Sequence, residues 1–267
     1  MSITLTSGMR ANLYSLQETS RLMDLTQKRL SSGKKVMTAL DDPVNFFRSK
    51  AHMDRANDLS SKKDGMSEAI KIIEAANTGI EAMYDLLAQM ESVANAAKTS
   101  SNTAALEVQY NELKIQINNL ANDSGYGGKN LLNDESLSVE FNEDATNTLS
   151  VVGFDATTAD QVAGIAISNA DFTDSTTIEA NITELKAVTS ELRTQAQSLS
   201  SNLSTISIRA DFTDKMISTL QTGADQLVLA DMNEEGANML MLQTRQALGT
   251  TALSLSSQAA QAVLRLF

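Results

Sequence analysis

The sequence predicts a mainly α protein in which both chain ends form a long antiparallel coiled-coil or helical-bundle rod, with a small β-hairpin region in the centre. Apolar residues recur at spacings of three and four through both ends, as they do in coiled coils. The 267 residues include one proline and no tryptophan, and aromatic residues make up only 4%. Such a chain lacks the large rings that usually fill a globular core, which favours an elongated helical protein.

The two ends carry the clearest apolar patterns. The first runs through Met9, Leu13, Leu16, Met23 and Leu30, with Ser20 and Gln27 at the intervening positions. The last runs through Met239, Leu242, Leu253, Val263 and Phe267, with Gln246, Gly249, Ser256 and Ala260 between them. Each polar position forfeits most of the ~1.5–3 kcal/mol that a buried Leu supplies, so these helices need more neighbours than one chain provides.

A helix pair inside an ordinary bundle would show a similar pattern. Chain ends are normally frayed and polar, however, and here only Arg245 and Arg265 are charged between Asn238 and the C-terminus. This low charge favours burial of both ends against partner molecules.

A helix junction is predicted between the first and second helical segments. Gly33 favours the left-handed conformation that ends a helix. Asp41 or Asp42 is expected to cap the next helix, with Pro43 in its first turn, where a missing N–H costs nothing.

A second and a third apolar pattern follow, and after them comes the glycine-rich stretch GYGGKNLL. Beyond it, the spacing of the apolar residues drops toward two in SLSVEFN and TLSVVGF, which predicts a β-hairpin. Ten acidic residues and no Lys or Arg lie between Asn133 and Ala180. On charge grounds we expect this segment to face water, and Glu135 to Asp174 to be replaceable by a short linker. A long fourth pattern follows, from Ile182 to Leu220.

Several kinds of chemistry are excluded or disfavoured. Lys129 is followed by Asn130, so the glycine stretch is no phosphate-binding loop. With no cysteine and His52 as the single histidine, no metal site, cofactor site or catalytic triad is predicted, and an enzyme is not expected. The net charge of −12 disfavours nucleic-acid binding. No stretch resembles a secretory signal peptide or a membrane span.

Three motifs carry a family resemblance. The N-terminal signature of bacterial flagellins resembles the stretch SLQETSRLMDLTQKRLSSGKKV with the following DDP. The turn before their variable region resembles GYGGKNLL, and their C-terminal helix resembles DMNEEGANMLMLQTRQALGTTALSLSSQAAQAVLRLF. The resemblance implies a subunit that polymerises into the helical flagellar filament for motility. It implies an inner coiled coil from 1–40 and 225–267, a helical rod from 41–132 and 180–224, and a small variable outer β region at 133–179.

The same resemblance implies partners and a location. The partners are further copies of the chain, a flagellar export chaperone, and hook-associated and filament-cap proteins. The location is the extracellular flagellum, reached through the flagellar type III pathway without a cleaved signal peptide. A hook–filament junction protein remains an alternative, and an unrelated coiled-coil scaffold is a more distant one.

A vertebrate innate-immune receptor grips some flagellins through an Arg, a Leu and a Glu. Aligning LLAQMESVANAAKTSSN and the following helix without gaps places these near Asp85, Gln89 and Gln109. The altered chemistry predicts weak receptor activation; solvated helix positions with no immune role are the alternative.

Overall fold

The computed structural model describes residues 7–158 and 165–264, apart from the side chains of residues 260, 263 and 264. The described residues form five helices and one antiparallel two-stranded sheet, namely α1 (Ser7–Ser32), α2 (Pro43–Ala97), α3 (Thr103–Asp123), β1 (Leu137–Glu140), β2 (Thr148–Val151), α4 (Ser175–Val228) and α5 (Met232–Leu264). The mainly α class with a small central hairpin is confirmed.

The chain divides into two compact units. Unit 1 combines the described parts of 1–54 and 220–267, and unit 2 comprises the described parts of 55–219. Unit 1 therefore holds α1 and α5, which pack against each other, while unit 2 holds α3 and the hairpin. The sequence-based bounds of the inner coiled coil, the rod and the outer region stay predictions, while the described parts of 133–179 belong to unit 2 together with α3.

The core of unit 2 follows the helical patterns read from the sequence. Residues seven apart on α2 are buried, namely Met66, Ile73, Ile80 and Leu87. Tyr110 and Ile117 of α3 and Leu185, Leu192, Leu199 and Ile206 of α4 are buried in the same cluster. The Tyr110 and Phe172 rings meet edge to face with centroids 5.6 Å apart. The 3-4 spacing predicts these core positions correctly because each helix buries one stripe.

The hairpin is part of this core. β1 and β2 pair with Leu137 opposite Val151 and Val139 opposite Leu149, so four apolar side chains share one face. Val139 and Val151 are buried among the helices, as are Leu131, Leu132, Ala156, Ile165, Ile167 and Phe172. The expectation that Glu135 to Asp174 can be replaced without harm is therefore wrong, because the segment supplies core side chains.

Several acidic residues of this segment pair with basic side chains. The Lys62 Nζ donates to Glu140 at 2.5 Å, and the Arg55 Nε lies 2.7 Å from the Glu143 carboxylate. Lys98, which directly follows α2, pairs with Glu179 at 3.5 Å. These basic side chains thus pair with acids that lie far from them in sequence, which charge counting along the chain could not show.

Candidate assembly surface

Helices α1 and α5 pack in antiparallel fashion. The Asn12 Nδ2 donates to the Gly249 carbonyl at 3.3 Å near one end of the contact, and the Arg29 guanidinium pairs with Glu235 at 3.0 Å near the other. In these two contacts the residue number rises from 12 to 29 along α1 while it falls from 249 to 235 along α5. Because a helix rises 1.5 Å per residue, the 14 residues from 235 to 249 span about 21 Å of contact. We call this contact the terminal seam.

Gly249 lets the two helices approach closely. A Cβ built at this position would lie 2.6 Å from the Leu16 Cδ2 and 3.0 Å from its Cγ. A mid-helix glycine costs about 1 kcal/mol relative to alanine, so its presence here has a packing reason. The Leu16 side chain occupies the space that a larger residue at 249 would need.

The predicted assembly residues fall into three groups. Leu242 is buried, and Met9, Leu16, Met23, Leu30, Met239 and Leu253 are partly buried. Leu13 is largely exposed. The Val263 side chain and the whole of Phe267 lie outside the described residues. Their predicted contacts with other subunits stay predictions.

Some of the α1 positions differ by one residue from the sequence-based pattern. The terminal seam alternates Leu16 and Met23 with the buried threonines Thr19 and Thr26, where the spacing predicted Ser20 and Gln27. Two heptad patterns fit the sequence of α1, one with spacings of three then four and one with spacings of four then three, and they share every seventh residue. The large apolar Leu13 fits only the second pattern and therefore favoured it, whereas the structure follows the first. Threonine is tolerated because its hydroxyl bonds locally: the Thr19 Oγ1 donates to the Ser15 carbonyl at 2.8 Å.

Sequence analysis missed the charged pair in the terminal seam. Glu235 is only 7% exposed although it is ionisable, and its Oε1 accepts from Arg29. A signal was present: Glu235 lies seven residues before Leu242, so extending the C-terminal pattern by one heptad would have found it.

A second apolar stripe on α5 faces away from α1. Met241, Leu248 and Leu255 are spaced seven apart and are 52%, 67% and 62% exposed. At about 100° per residue they lie more than a quarter-turn from Leu242 and Gly249. We call this set the outer stripe. No described residue covers it, and three large exposed apolar side chains in line are typical of an interaction surface.

The helix junction forms as its residues suggest. Gly33 adopts φ +69°, and its N–H donates to the Arg29 carbonyl at 2.8 Å, which ends α1. Asp42 caps α2 by accepting from the Asn45 N–H at 3.0 Å, and Pro43 is the first helical residue. This backbone hydrogen bond, more than any other influence, lowers the pKa of Asp42 below its usual value.

Asp41 has a different role. Its Oδ2 accepts from the backbone N–H groups of Thr38 and Met37, at 2.9 and 3.1 Å, and thereby folds the connecting turn. The Thr38 and Met37 N–H bonds lower the pKa of Asp41. Of the two candidate caps, only Asp42 caps α2.

A short backbone ladder joins the two helix connections of unit 1. The Lys35 and Val36 N–H groups both donate to the Val228 carbonyl, at 2.7 and 3.3 Å, and the Ala230 N–H donates to the Gly33 carbonyl at 2.9 Å. The α1–α2 connection is thus tied to the α4–α5 connection, where Asp231 caps α5 by accepting from Asn233 at 2.8 Å.

The junction contains a polar cleft. It encloses about 350 Å³ and is lined by acidic and basic side chains, including Arg29, Asp41, Asp42 and Glu235. Among the described residues no group of three or more His, Cys, Asp or Glu side chains is arranged to hold a metal ion. None of the described helices is long and apolar enough to cross a membrane.

The three positions aligned with the immune-receptor contacts lie on unit 2. Asp85 and Gln89 are one turn apart on α2, Gln109 lies on α3, and all three are exposed. Their exposure makes them accessible to a partner in the isolated chain, but does not by itself assign one.

Comparison with known proteins gives the family. Residues 4–136 match the model of the bacterial flagellin N-terminal helical region. The whole chain aligns with flagellin FljO of Caulobacter vibrioides, at 28% identity over 278 residues and 98% of that protein. The chain belongs to the bacterial flagellins. This flagellin also aligns over its full length with flagellin C of Rhizobium meliloti, at 24% identity and 99% of that protein.

Among solved structures, this flagellin is similar to the crystal structure of Bacillus cereus flagellin. The match has a TM-score of 0.46 and 17% identity, and covers 57% of this chain and 88% of that one.

Proposed function

We propose that this flagellin is the structural subunit that polymerises into the helical bacterial flagellar filament, and that the outer stripe of α5 is a contact between subunits. Family membership supports the subunit role, and the outer stripe is the observation that assigns the contact. A hook–filament junction protein has no better support, because the full-length relatives named above are flagellins.

The outer stripe supports self-assembly for an energetic reason. Burying a Leu or Met side chain contributes about 1.5–3 kcal/mol, so covering Met241, Leu248 and Leu255 supplies several kcal/mol per subunit. In the isolated chain this surface is exposed. A contact between two different surfaces of identical subunits, when it does not close on itself, produces a helical polymer rather than a ring.

The finer assignments belong to the same proposal. The terminal helices form the inner layer of the filament, and the acidic segment at 133–179 belongs to its outer part while sharing the core of unit 2. The chain is exported through the flagellar type III pathway without a cleaved signal peptide. An export chaperone holds the C-terminal helix before assembly, and hook-associated and cap proteins contact the two ends of the filament. The role is structural, with no catalytic step.

Substitution of the outer stripe tests the proposal. Leu248→Ser/Leu255→Ser removes apolar area that the isolated chain already exposes, so the monomer is expected to fold normally. The critical concentration for polymerisation, measured by sedimentation, is expected to rise about tenfold or more. The control is Met232→Ser, which changes a similarly exposed apolar residue of α5 outside the outer stripe. Unchanged polymerisation of the double variant would contradict the assignment.

Truncation provides a second test. Deletion of Leu253 to Phe267 is expected to leave a soluble monomer with unit 2 intact that cannot polymerise. Normal filaments from the truncated chain would argue against any assembly role for the end of α5.

A further inference from the structure

We propose that the Arg29–Glu235 pair, in which the Glu235 carboxylate is buried, selects the register in which α1 and α5 pair. The inference rests on the proposed assembly role of unit 1. If subunits assemble through unit 1, each subunit must pair α1 and α5 in the same register, and we assign that selection to this pair. It concerns which of several possible pairings forms, rather than whether the helices pair at all.

The rest of the terminal seam discriminates poorly between registers. On α1 the apolar positions Leu16, Met23 and Leu30 repeat every seven residues and have similar volumes. A slide of the two helices by one heptad therefore places another large apolar side chain in each position. The intervening Thr19 and Thr26 repeat with the same period, and at least Thr19 satisfies its hydroxyl within its own helix. Neither set penalises a slide.

The charged pair penalises every slide. Glu235 is 7% exposed, and its Oε1 lies 3.0 Å from the Arg29 Nη1. A one-heptad slide brings Arg29 opposite Leu242 or Val228, and brings Glu235 opposite Leu22 or Val36. Glu235 would then be buried against an apolar side chain, and the Arg29 side chain, which is 32% exposed, would lose its partner. An uncompensated buried charge is strongly unfavourable, whereas the correct register pairs the two.

The pair makes one hydrogen bond and leaves two polar atoms unsatisfied. The Arg29 Nε and the Glu235 Oε2 are both buried without a hydrogen-bond partner among the described residues. Arg29 also acts electrostatically on Asp41 in the polar cleft, but among the described residues its side chain donates a hydrogen bond only to Glu235. A buried polar pair of this kind is a known means of fixing helix register at some cost in stability.

Gly249 and the backbone ladder between the two helix connections are the competing determinants of register. Its missing side chain accommodates Leu16, and a slide by one heptad would place Leu242 or Ser256 there instead. The experiment must therefore separate a charge effect from a steric one. Replacing the pair by apolar residues does so, because it leaves Gly249 and Leu16 untouched.

Disulfide mapping reads the register directly, since the chain contains no cysteine. Interpolation between the Leu16–Gly249 and Arg29–Glu235 contacts places Thr19 opposite residue 246. Three parent proteins carry Thr19→Cys with Met239→Cys, Gln246→Cys or Leu253→Cys. Under mild oxidation in polymerising buffer, the 246 parent is expected to cross-link about tenfold faster or more than the other two.

The decisive variant is Arg29→Met/Glu235→Leu in each parent. Apolar replacement of a buried ion pair usually preserves or raises stability, so the helices are expected to pair while cross-links spread over positions 239, 246 and 253. The charge swap Arg29→Glu/Glu235→Arg should restore cross-linking to 246 alone. Lys28→Met, which removes an exposed neighbouring charge, should leave the pattern unchanged.

Cross-linking confined to 246 in the apolar variant would overturn the proposal and assign register to Gly249 and the backbone ladder. Sedimentation of the same samples reads the proposed function separately. If the 246 parent cross-links selectively and its apolar variant does not, the register inference holds even when neither polymerises, and only the proposed function fails.

Discussion

Gly153 offers the sharpest test of the finding that the central segment belongs to the core of unit 2. It follows β2 and is buried where the chain passes against residues 131–135. The Phe154 N–H donates to the Leu131 carbonyl at 2.8 Å, and the Asp134 N–H donates to the Phe154 carbonyl at 3.2 Å. Gly153→Ala places a methyl group between these two backbone segments.

The expected cost follows from the distances. A Cβ at position 153 would lie 2.2 Å from the Glu135 carbonyl oxygen and 2.6 Å from that of Leu131. Both are backbone atoms, so relief requires the segments to separate by about 1 Å. Overpacking of this kind costs about 1–3 kcal/mol. Weakening the two hydrogen bonds adds about 0.5–1.5 kcal/mol each, which gives a total loss of about 2–6 kcal/mol.

Urea denaturation followed by circular dichroism measures this loss. Gly65→Ala is the matched control: it lies in α2 of the same unit, a Cβ there meets nothing within 4 Å, and helix propensity predicts a gain of about 0.5–1 kcal/mol. The reasoning is refuted if Gly153→Ala unfolds at the same urea concentration as the unmodified chain. That result would mean that the segment carrying Gly153 is detachable from the core.

Three further predictions concern pH and recognition. Because the pKa of Asp42 is lowered by folding, its contribution to stability is present above the ordinary pKa of 3.8 and is lost as pH falls through the folded value. Asp42→Asn keeps a capping side chain, so thermal melts should lose less stability in acid than those of the unmodified chain; equal losses would contradict this. Burial raises the pKa of Tyr110 to about 12, so its contribution is present below pH 10 and is lost as pH rises toward 12. Tyr110→Phe should flatten the alkaline part of the stability profile, and an unchanged profile would count against the burial. With an acid at Asp85 and amides at Gln89 and Gln109, the monomer should activate the innate-immune flagellin receptor far less than a standard enterobacterial flagellin in reporter cells, and comparable potency would refute this.

The sequence predicted local structure well where one residue type dictates one conformation. Gly33 ends α1 with a positive φ that favours glycine, and Pro43 starts α2 behind the Asp42 cap. The core positions of α2, α3 and α4 follow from their spacing, because a helix that packs along one side must bury every third or fourth residue.

What could not be predicted depends on contacts between distant parts of the chain. Thr19 and Thr26 take the buried positions that spacing assigned to Ser20 and Gln27. Two heptad phases fit the sequence of α1, and the packing of α5 against α1 determines which of them is buried. The acidic central segment was expected to face water. Two of its carboxylates, those of Glu143 and Glu140, instead pair with Arg55 and Lys62, which lie more than 75 residues away in sequence.

Assembly of this chain with itself into a filament is the basis of the proposed function. Negative-stain electron microscopy of the purified full-length protein, under polymerising conditions and seeded with its own sheared polymer, shows whether such filaments form. We expect long, uniform helical filaments that lengthen with added monomer. Short capped rods or amorphous aggregates at every protein concentration would contradict it and favour a junction protein or an unrelated scaffold.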